Sequence, residues 1–167
     1  LSPGGLYLAY LAPVERRLNL FVQKRGDNAA RQVTDVRDRD IGGYFWKGND
    51  TLIYLKDDGG DEIYHLFAVN LTSGKTQDLT PFAGVRAGVV DDLEEVENEI
   101  LISMNQRRPD VFDVYRFNLL NGELKMVVEN PGHFVGYLTD HAGKIRLAMA
   151  KNAEENQNVV LYRQTED

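Results

Sequence analysis

The sequence predicts an all-β fold made of repeated four-stranded antiparallel sheets. Short apolar runs recur along the whole chain, and turn-forming Gly, Asn and Asp residues separate them. Helix-like periodicity is nearly absent. Its one candidate, the acidic stretch from Asp91 to Glu99, is short and falls where the repeat requires a loop. Strands joined by turns therefore account for almost all of the 167 residues.

A regular spacing of aromatic residues is the main signal of a repeat. Four segments read LNLFVQKR, YHLFAVNL, FDVYRFNL and NVVLYRQT, and the aromatic anchor of each lies 46, 48 and 47 residues after the previous one. We expect these anchors to pack between neighbouring sheets rather than to bind a sugar. The anchors are Phe21, Phe67, Tyr115 and Tyr162.

Each repeat contains four strands in a fixed order. The first strand opens the later units, and the second reads almost continuously apolar, which predicts that both of its faces are covered. The anchor segment is the third strand, and TSGK and LNGE follow it with a Gly where a hairpin turn needs positive φ. The first strands are GGYFW, VRAGVV and FVGYL; the second are LYLAYLA, TLIYLKD, EILISMN and KIRLAMA; the fourth are RQVTD, QDLTP and MVVEN.

Four-stranded repeats of this length are typical of β-propeller blades. One blade cannot bury both of its faces, whereas stacked blades cover each other and leave only short edges. The predicted units are residues 1–41, 42–83, 84–132 and 133–167, the first without an opening strand and the last without a closing one. We therefore expect a propeller segment of about four blades, whose open edges leave room for self-association.

Composition excludes several classes of function. The formal net charge of −7 argues against a nucleic-acid partner, because phosphate binding needs concentrated Lys and Arg. No apolar run approaches the roughly 18 residues that cross a bilayer, so no membrane partner is predicted. The chain has no cysteine, which excludes disulfides and thiol catalysis. This composition is compatible with a location in either the cytoplasm or the periplasm. It begins at Leu1, inside a strand, and we expect a piece or a processed product of a longer protein.

Three stretches carry a family resemblance. They are the opening LSPGGLYLAYL, the stretch DDGGDEIYHLFAVNLTSGKTQDLTPF from Asp57, and the stretch RRPDVFDVYRFNLLNGEL from Arg107. They resemble propeller motifs of prolyl oligopeptidase-family serine peptidases, especially the dipeptidyl aminopeptidase/acylaminoacyl-peptidase branch, and the opening is also similar to TolB-type propellers. The chain departs from these motifs at Gly4 and Asn70, where Asp is commoner, and at Ile63, where Asn is commoner.

The resemblance implies a two-part enzyme whose propeller filters or positions peptides for an α/β-hydrolase domain. That domain would carry a Ser-Asp-His triad with a G-x-S-x-G nucleophile elbow, and this chain has no such elbow. We therefore expect no catalytic residue in the chain, with peptide substrate and the protein's own hydrolase domain as partners. One alternative is a TolB-like propeller that binds proteins without enzymatic activity, and another is a small complete propeller that acts alone.

Few charged residues are candidates for a binding site. The acidic cluster of Asp57, Asp58, Asp61 and Glu62 suggests Ca²⁺ binding, but it lacks alternating ligand spacing. We interpret it as a solvated hairpin loop in which Gly59 and Gly60 turn the chain and the acids cap backbone amides. Glu62 remains a weak candidate for holding a peptide N-terminus.

Arginines in loops are the second set of candidates, because a guanidinium can clamp a peptide carboxylate. Arg107 and Arg108 are the weak substrate-binding candidates among them. Salt bridging to the abundant Asp and Glu is the preferred interpretation for the whole set. The set is Arg37, Arg39, Arg86, Arg107 and Arg108.

The histidines and the acidic run complete the candidates. His65, His133 and His141 show no metal-ligand spacing, so neither a metal nor another cofactor is predicted. His65 lies in a predicted strand and is expected to pack or to form a hydrogen bond. The stretch from Asp91 to Glu99 is expected to be a solvated outer loop, with a partner-binding patch as the alternative.

Overall fold

A computed structural model describes residues 1–152 and 157–165. In this part of the chain the structure has fourteen β-strands and no helix, as the sequence predicts. The strands are β1 (Tyr7–Val14), β2 (Arg17–Lys24), β3 (Arg31–Gln32), β4 (Gly43–Lys47), β5 (Thr51–Lys56), β6 (His65–Asn70), β7 (Thr76–Asp78), β8 (Ala87–Asp91), β9 (Glu99–Arg108), β10 (Val111–Asn118), β11 (Leu124–Val128), β12 (Phe134–Thr139), β13 (Ile145–Asn152) and β14 (Gln157–Tyr162).

The strands form four antiparallel sheets in which neighbours in sequence are neighbours in space. The first sheet has the order β1-β2-β3 and the second β4-β5-β6-β7. The third has the order β11-β10-β9-β8 and the fourth β12-β13-β14. Four sheets of three or four strands, each a simple meander, confirm the predicted all-β blade architecture.

The chain divides into two compact units, and the first comprises residues 1–86 with the first and second sheets. Its core lies between these two sheets and contains Leu20 and Leu52, both fully buried, and Val69. Trp46 and Phe67 pack against this cluster. Each fully buried aliphatic side chain contributes about 1.5–3 kcal/mol, so stacking of the two sheets stabilises both.

The second unit comprises residues 87–167 and contains the third and fourth sheets. Its core includes Leu101, Val114 and Tyr137, together with Leu93 from the connection between β8 and β9. Leu93 is only 3% exposed, so the expectation of a wholly solvated loop from Asp91 to Glu99 is wrong at this residue. The acidic side chains can stay near water because the one large apolar residue between them turns inward.

The prediction that second strands are covered on both faces is confirmed for β5 and β9 but is wrong for β1, where Leu8 is 44% exposed. In β5 the consecutive residues Leu52, Ile53 and Tyr54 are all buried, although their side chains point alternately to opposite faces.

The aromatic anchors follow the expectation in part, and Tyr115 is a buried core residue. Phe67 does lie against the core between two sheets, but its nearest ring is Tyr54 of the adjacent strand, with centroids 5.4 Å apart. Phe21 stacks in the same way on Tyr10, at 5.9 Å. Tyr162 on β14 is exposed. Cross-strand register therefore decides these ring contacts, because directly opposed residues on one face are the closest neighbours.

The hairpin turns follow the sequence prediction. Gly74 and Gly122 have φ of 68° and 72°, values that L-residues rarely adopt. Asn70 caps the first of these turns, since its Oδ1 accepts hydrogen bonds from the amides of Thr72 (3.1 Å) and Ser73 (2.9 Å). Its Nδ2 donates to Asp50 at 3.0 Å, which explains why Asn suits a position where relatives more often have Asp. Among the described residues, no helix has the length and apolarity to cross a membrane.

Candidate functional site

The three candidate residues lie in, or directly before, the connections between the second and third strands of their sheets. Glu62 is in the connection from β5 to β6, within the first unit. Arg107 and Arg108 are the last residues of β9, just before the turn into β10, within the second unit. The repeat therefore places all three in equivalent loops of consecutive sheets.

In the first unit, ion pairs bind the acidic loop to the segment that connects the first and second sheets. The Asp57 carboxylate, 2% exposed, accepts hydrogen bonds from Arg39 Nε at 3.3 Å and from the Glu62 amide at 3.2 Å. Lys56 Nζ donates to Asp38 Oδ2 at 2.8 Å and holds the pKa of that carboxyl below its usual range. The loop is thus fixed by contacts with residues about 20 positions earlier.

The loop itself is turned as the sequence predicts. Gly59 and Gly60 have positive φ of 57° and 95°, and Asp61 Oδ1 accepts a hydrogen bond from the Ile63 amide at 2.9 Å. Glu62 also has positive φ, and its side chain is exposed. The burial of Asp57 was not predicted, because the sequence does not indicate which acid of the cluster meets an arginine.

No metal-binding constellation is present in the described ranges, since no three His, Asp or Glu side chains lie close enough to share an ion. The acids of this loop instead bind backbone amides and cationic side chains. Their geometry is that of a capped turn.

In the second unit, Arg107 forms a bidentate ion pair with Asp113. Its Nε and Nη2 donate to the two carboxylate oxygens at 2.9 and 2.8 Å. The same Nη2 donates to the Asn130 carbonyl at 2.8 Å, and Nη1 lies 3.4 Å from Glu129. Hydrogen bonding from Arg107 holds the pKa of Asp113 below its usual range. These contacts tie Arg107 to the segment that leads into the fourth sheet.

Arg108 points to the other face of β9 and pairs with Asp110, with Nη2 and Oδ2 2.8 Å apart. Both side chains are at least half exposed, so the pair lies in water. Arg37 and Arg39 also pair with aspartates, Asp35 and Asp57 respectively. These four arginines therefore form salt bridges with aspartates, as the preferred interpretation of the sequence predicts. Binding of a peptide carboxylate by Arg107 or Arg108 stays a prediction.

Asn130 organises the same region, and sequence reasoning did not single it out. Its Nδ2 donates to the carbonyls of Phe112 (3.1 Å) and Phe134 (2.9 Å), and its Oδ1 accepts from the Gly132 amide at 2.9 Å. Its own amide donates to Asp113 at 2.8 Å. One buried side chain thus joins β10 to the start of β12.

Threonines perform a related task in the first unit. Thr34 Oγ1 accepts from the Leu20 amide at 2.9 Å, and Thr80 Oγ1 accepts from the Leu66 amide at 3.0 Å. The two threonines lie 46 residues apart, in RQVTD and QDLTP. Because a threonine recurs at one position of the repeat, the sequence contains a signal from which these hydrogen bonds to a strand amide could have been predicted.

His65 forms the expected hydrogen bond. Its Nδ1 lies 2.8 Å from Asp78 Oδ2, across the β6–β7 pair, and its ring stacks on Phe67 at 6.4 Å between centroids. The histidine therefore links the third and fourth strands of the second sheet, and the prediction of a packing and hydrogen-bonding role is confirmed.

Sequence relatives are peptidases that are much longer than this chain. The chain is 35% identical over 162 residues to dipeptidyl aminopeptidase BIII from Pseudoxanthomonas mexicana, and the match covers 96% of this chain and 24% of that protein. It is 29% identical over 157 residues to dipeptidyl peptidase family member 6 from Caenorhabditis elegans, covering 89% and 21%. The chain thus spans about a quarter of the length of the curated relatives it matches. No model of a known protein family matches it.

Solved structures give the same fold. A prolyl endopeptidase analysed for inter-domain dynamics matches 96% of this chain, over 28% of its own length, with a TM-score of 0.64 and 11% identity. The chain is a homologue of dipeptidyl aminopeptidase BIII, and its structural neighbours include propeller regions of prolyl oligopeptidase-family peptidases. TolB from Acinetobacter baumannii matches 98% of this propeller segment, over 42% of its own length, with a TM-score of 0.59 and 12% identity. At these identities the structural likeness shows the fold alone.

Proposed function

We propose that this chain is the non-catalytic propeller part of a serine peptidase, and that it gates and positions peptide substrates for an α/β-hydrolase domain elsewhere in the protein. The observation that carries the proposal is the 35% identity over 96% of the chain to a dipeptidyl aminopeptidase of which the chain covers 24%. The remaining length of that relative has room for a catalytic domain with a Ser-Asp-His triad.

The loops between second and third strands are where such a propeller segment would meet a peptide. Buried or partly buried ion pairs at Asp57 and Asp113 hold each of these loops to the neighbouring connection within its own unit, so each loop is fixed in position. The exposed Glu62 carboxylate would attract a peptide ammonium group. The half-exposed Arg108 would attract a carboxylate in competition with Asp110.

The non-catalytic role is tested on the chain itself. The purified 167-residue chain should hydrolyse neither aminoacyl-p-nitroanilides nor short peptides, because it has no G-x-S-x-G elbow. Hydrolysis that stays with the chain through successive purification steps would overturn the proposal.

The positioning role is tested in the full-length protein expressed from its complete reading frame. Glu62→Gln should raise KM for peptides with a free N-terminus, with little change for N-acetylated peptides. Asp61→Asn is the matched control, because Asp61 is an exposed neighbouring acid whose Oδ1 caps the Ile63 amide, a contact that Asn can keep. Equal KM values of wild type and Glu62→Gln for peptides with a free N-terminus would exclude Glu62 as the group that binds the N-terminus. Equal increases of KM in Glu62→Gln and Asp61→Asn would show a general effect of removing a negative charge.

The rival function is a TolB-like scaffold that binds proteins without an attached enzyme. The match of TolB to 98% of the chain, with a TM-score of 0.59, favours this alternative as far as a fold can. The complete reading frame discriminates between the two. A G-x-S-x-G motif in a domain after the propeller supports the peptidase, whereas its absence supports the scaffold.

A further inference from the structure

A pocket of about 540 Å³ in the second unit opens beside the turn between β9 and β10, from which Asp110 contributes to its wall. It lies between the third and fourth sheets, where β8 and β12 lie against each other. Its volume is within the range of small-ligand sites, which is about 300–1,000 Å³. The residues of its wall that bear on its use are Val90, Asp110, Phe112, Phe134, Val135 and Tyr137.

Irregular strand pairing shapes this pocket. Val90 is an additional residue in the register of β8 with β9, and Val135 is an additional residue in the register of β12 with β13. The register of β9 with β10 also shifts, opposite Phe112. A β-bulge bends its strand and turns a side chain in a new direction, and bulges are common beside active sites. Two strands from different sheets therefore bulge at the same pocket.

Aromatic residues form much of the wall. Phe134 and Tyr137 are in contact edge to face, with ring centroids 6.0 Å apart and planes at 90°, and Phe112 is the third aromatic residue of the wall. Rings in such a group offer faces and edges against which a further ring can pack. A cavity of about 150 Å³ is enough to hold benzene. The pocket therefore has room for a phenyl side chain and part of the backbone that carries it.

The charge at the pocket favours a neutral guest. Asp110 is the one charged residue among the described residues of the wall, and its Oδ2 lies 2.8 Å from Arg108 Nη2. A lysine or glutamate side chain would lose hydration on entering and would find this carboxylate already paired. An apolar ring loses no such hydration, and the ion pair at the rim can still meet the peptide groups on either side of it.

We propose that this pocket receives an aromatic side chain of the peptide substrate and thereby selects among peptides. This inference rests on the proposed positioning function, because Arg108 and Asp110 flank the turn that would meet the peptide. Val135 is 68% exposed, which places it at the mouth of the pocket. The ring of the substrate would cover Val135 and pack against Phe134 and Phe112, so that its apolar surface leaves water.

A peptide series tests the proposal in the full-length protein. The probes are tetraalanine, four derivatives with one Ala replaced by Phe, and four with one Ala replaced by Lys. Calorimetry measures their binding to protein treated with diisopropyl fluorophosphate, which blocks a catalytic serine, and kcat/KM is measured with untreated protein. At one position Phe should improve both quantities by about tenfold or more over Ala, since even one methylene group in an apolar pocket changes discrimination by about that factor. Lys should give no such gain.

Variants of β12 assign the preference to this pocket rather than to a site in the hydrolase domain. Val135→Asp should bring Phe peptides to within about twofold of tetraalanine, because the ring would have to desolvate a carboxylate at the mouth. Leu138→Asp is the matched control, since Leu138 is 51% exposed on the same strand and is not part of the pocket wall. It should keep the preference.

Val135→Thr, which has nearly the shape of the native side chain, should reduce the preference by a smaller factor and gives a second test if the aspartate disturbs folding. Far-ultraviolet circular dichroism checks the fold of each variant. An equal loss of preference in Leu138→Asp, or an unchanged preference in both Val135 variants, would overturn the proposal.

Failure of the pocket and failure of the proposed function give different results. If the full-length protein hydrolyses none of the peptides, the peptidase function is wrong, and calorimetry still decides whether the pocket binds an aromatic side chain. If the protein hydrolyses the peptides but prefers Phe at no position, the proposed function stands and the pocket is overturned. Equal gains for Phe and Lys would also overturn it, because the acid at the rim would then be the group that is recognised.

Discussion

The guanidinium of Arg107 holds the carboxylate of Asp113 with two parallel hydrogen bonds of 2.9 and 2.8 Å, and the Asp113 side chain is completely buried. The adjacent Arg108 makes a similar pair with Asp110 in water. Two neighbouring arginines thus have chemically similar partners in opposite environments. Because β9 side chains alternate between faces, the buried and the exposed pair cannot exchange roles.

Asp113→Asn should lower the free energy of unfolding by about 1–3 kcal/mol, because it weakens the charge-assisted hydrogen bonds that the buried carboxylate accepts from Arg107, while Arg107 itself is partly exposed and keeps Glu129 nearby. The isosteric change also weakens the acceptor of the Asn130 amide. Urea unfolding monitored by far-ultraviolet circular dichroism measures the effect. Asp110→Asn makes the same chemical change in the exposed pair and should leave the midpoint unchanged within error. Equal effects of the two variants would contradict the assigned difference in burial.

Acid should destabilise the chain partly through Asp113. Its folded-state pKa lies below the usual aspartate value of about 3.9, so the unfolded state binds the proton more tightly. The stabilisation is therefore fully present above about pH 4 to 5 and is lost as pH falls through the lower folded-state pKa. Unfolding free energies of wild type between pH 6 and about pH 3 should fall more steeply than those of Asp113→Asn. If the unfolding free energies of the two proteins fall in parallel with pH, the titration of Asp113 does not contribute to the loss of stability in acid. Asp110 and Asp140 also have lowered pKa values, but both residues are unchanged in Asp113→Asn and therefore contribute to the two curves alike.

Tyr137→Phe should raise the free energy of unfolding by up to about 1 kcal/mol. The Tyr137 hydroxyl is buried and has no hydrogen-bond partner among the described residues, and an unsatisfied buried polar group costs about 1–3 kcal/mol. Burial raises the pKa of this phenol to about 12, so it stays neutral at physiological pH.

Tyr44→Phe is the matched control for that change. Its hydroxyl donates to the Ala9 carbonyl at 2.8 Å and links the first two sheets, so removing it should cost about 1 kcal/mol. Thermal and urea unfolding of the two variants should therefore shift in opposite directions. A loss of stability in Tyr137→Phe as large as that in Tyr44→Phe would show that the Tyr137 hydroxyl has a partner after all.

Gly4→Ala should lower stability by about 1 kcal/mol, because the Gly4 amide donates to Asn49 Oδ1 at 2.6 Å and an added Cβ would lie 2.8 Å from that oxygen. Gly43→Ala is the control, since an added Cβ there meets no atom within 4 Å. That change should be neutral or slightly stabilising. Equal unfolding free energies for the two variants would contradict the close approach of Asn49.

Much of the fold could be predicted because its signals are local. The apolar run TLIYL predicts a doubly covered strand, and Ile53 within it is fully buried. Gly74 and Gly122 stand where the turns need positive φ. The same local signals recur at a spacing of 46 to 48 residues in several sheets. This recurrence allowed the propeller class and the family resemblance to be predicted from a single sequence.

The candidate site was less predictable because its geometry depends on residues far apart in sequence. The stretch from Arg107 to Asp113 contains two arginines and two aspartates, and composition does not say which pair is buried. The same holds for Asp57, whose partner Arg39 lies 18 positions earlier. Asn130 was missed because one side chain that joins two sheets has no distinctive sequence pattern.

The sequence alone therefore determined the strand order, the turns, the repeat and the family, since each depends on neighbouring residues or on a fixed period. Only the tertiary structure decided that Leu93 leaves its acidic loop for the core. It also brought Val90 and Phe112 of the third sheet and Val135 of the fourth to one pocket. These outcomes depend on how one sheet packs on the next, and stacking joins residues whose separation in the chain carries no local signal.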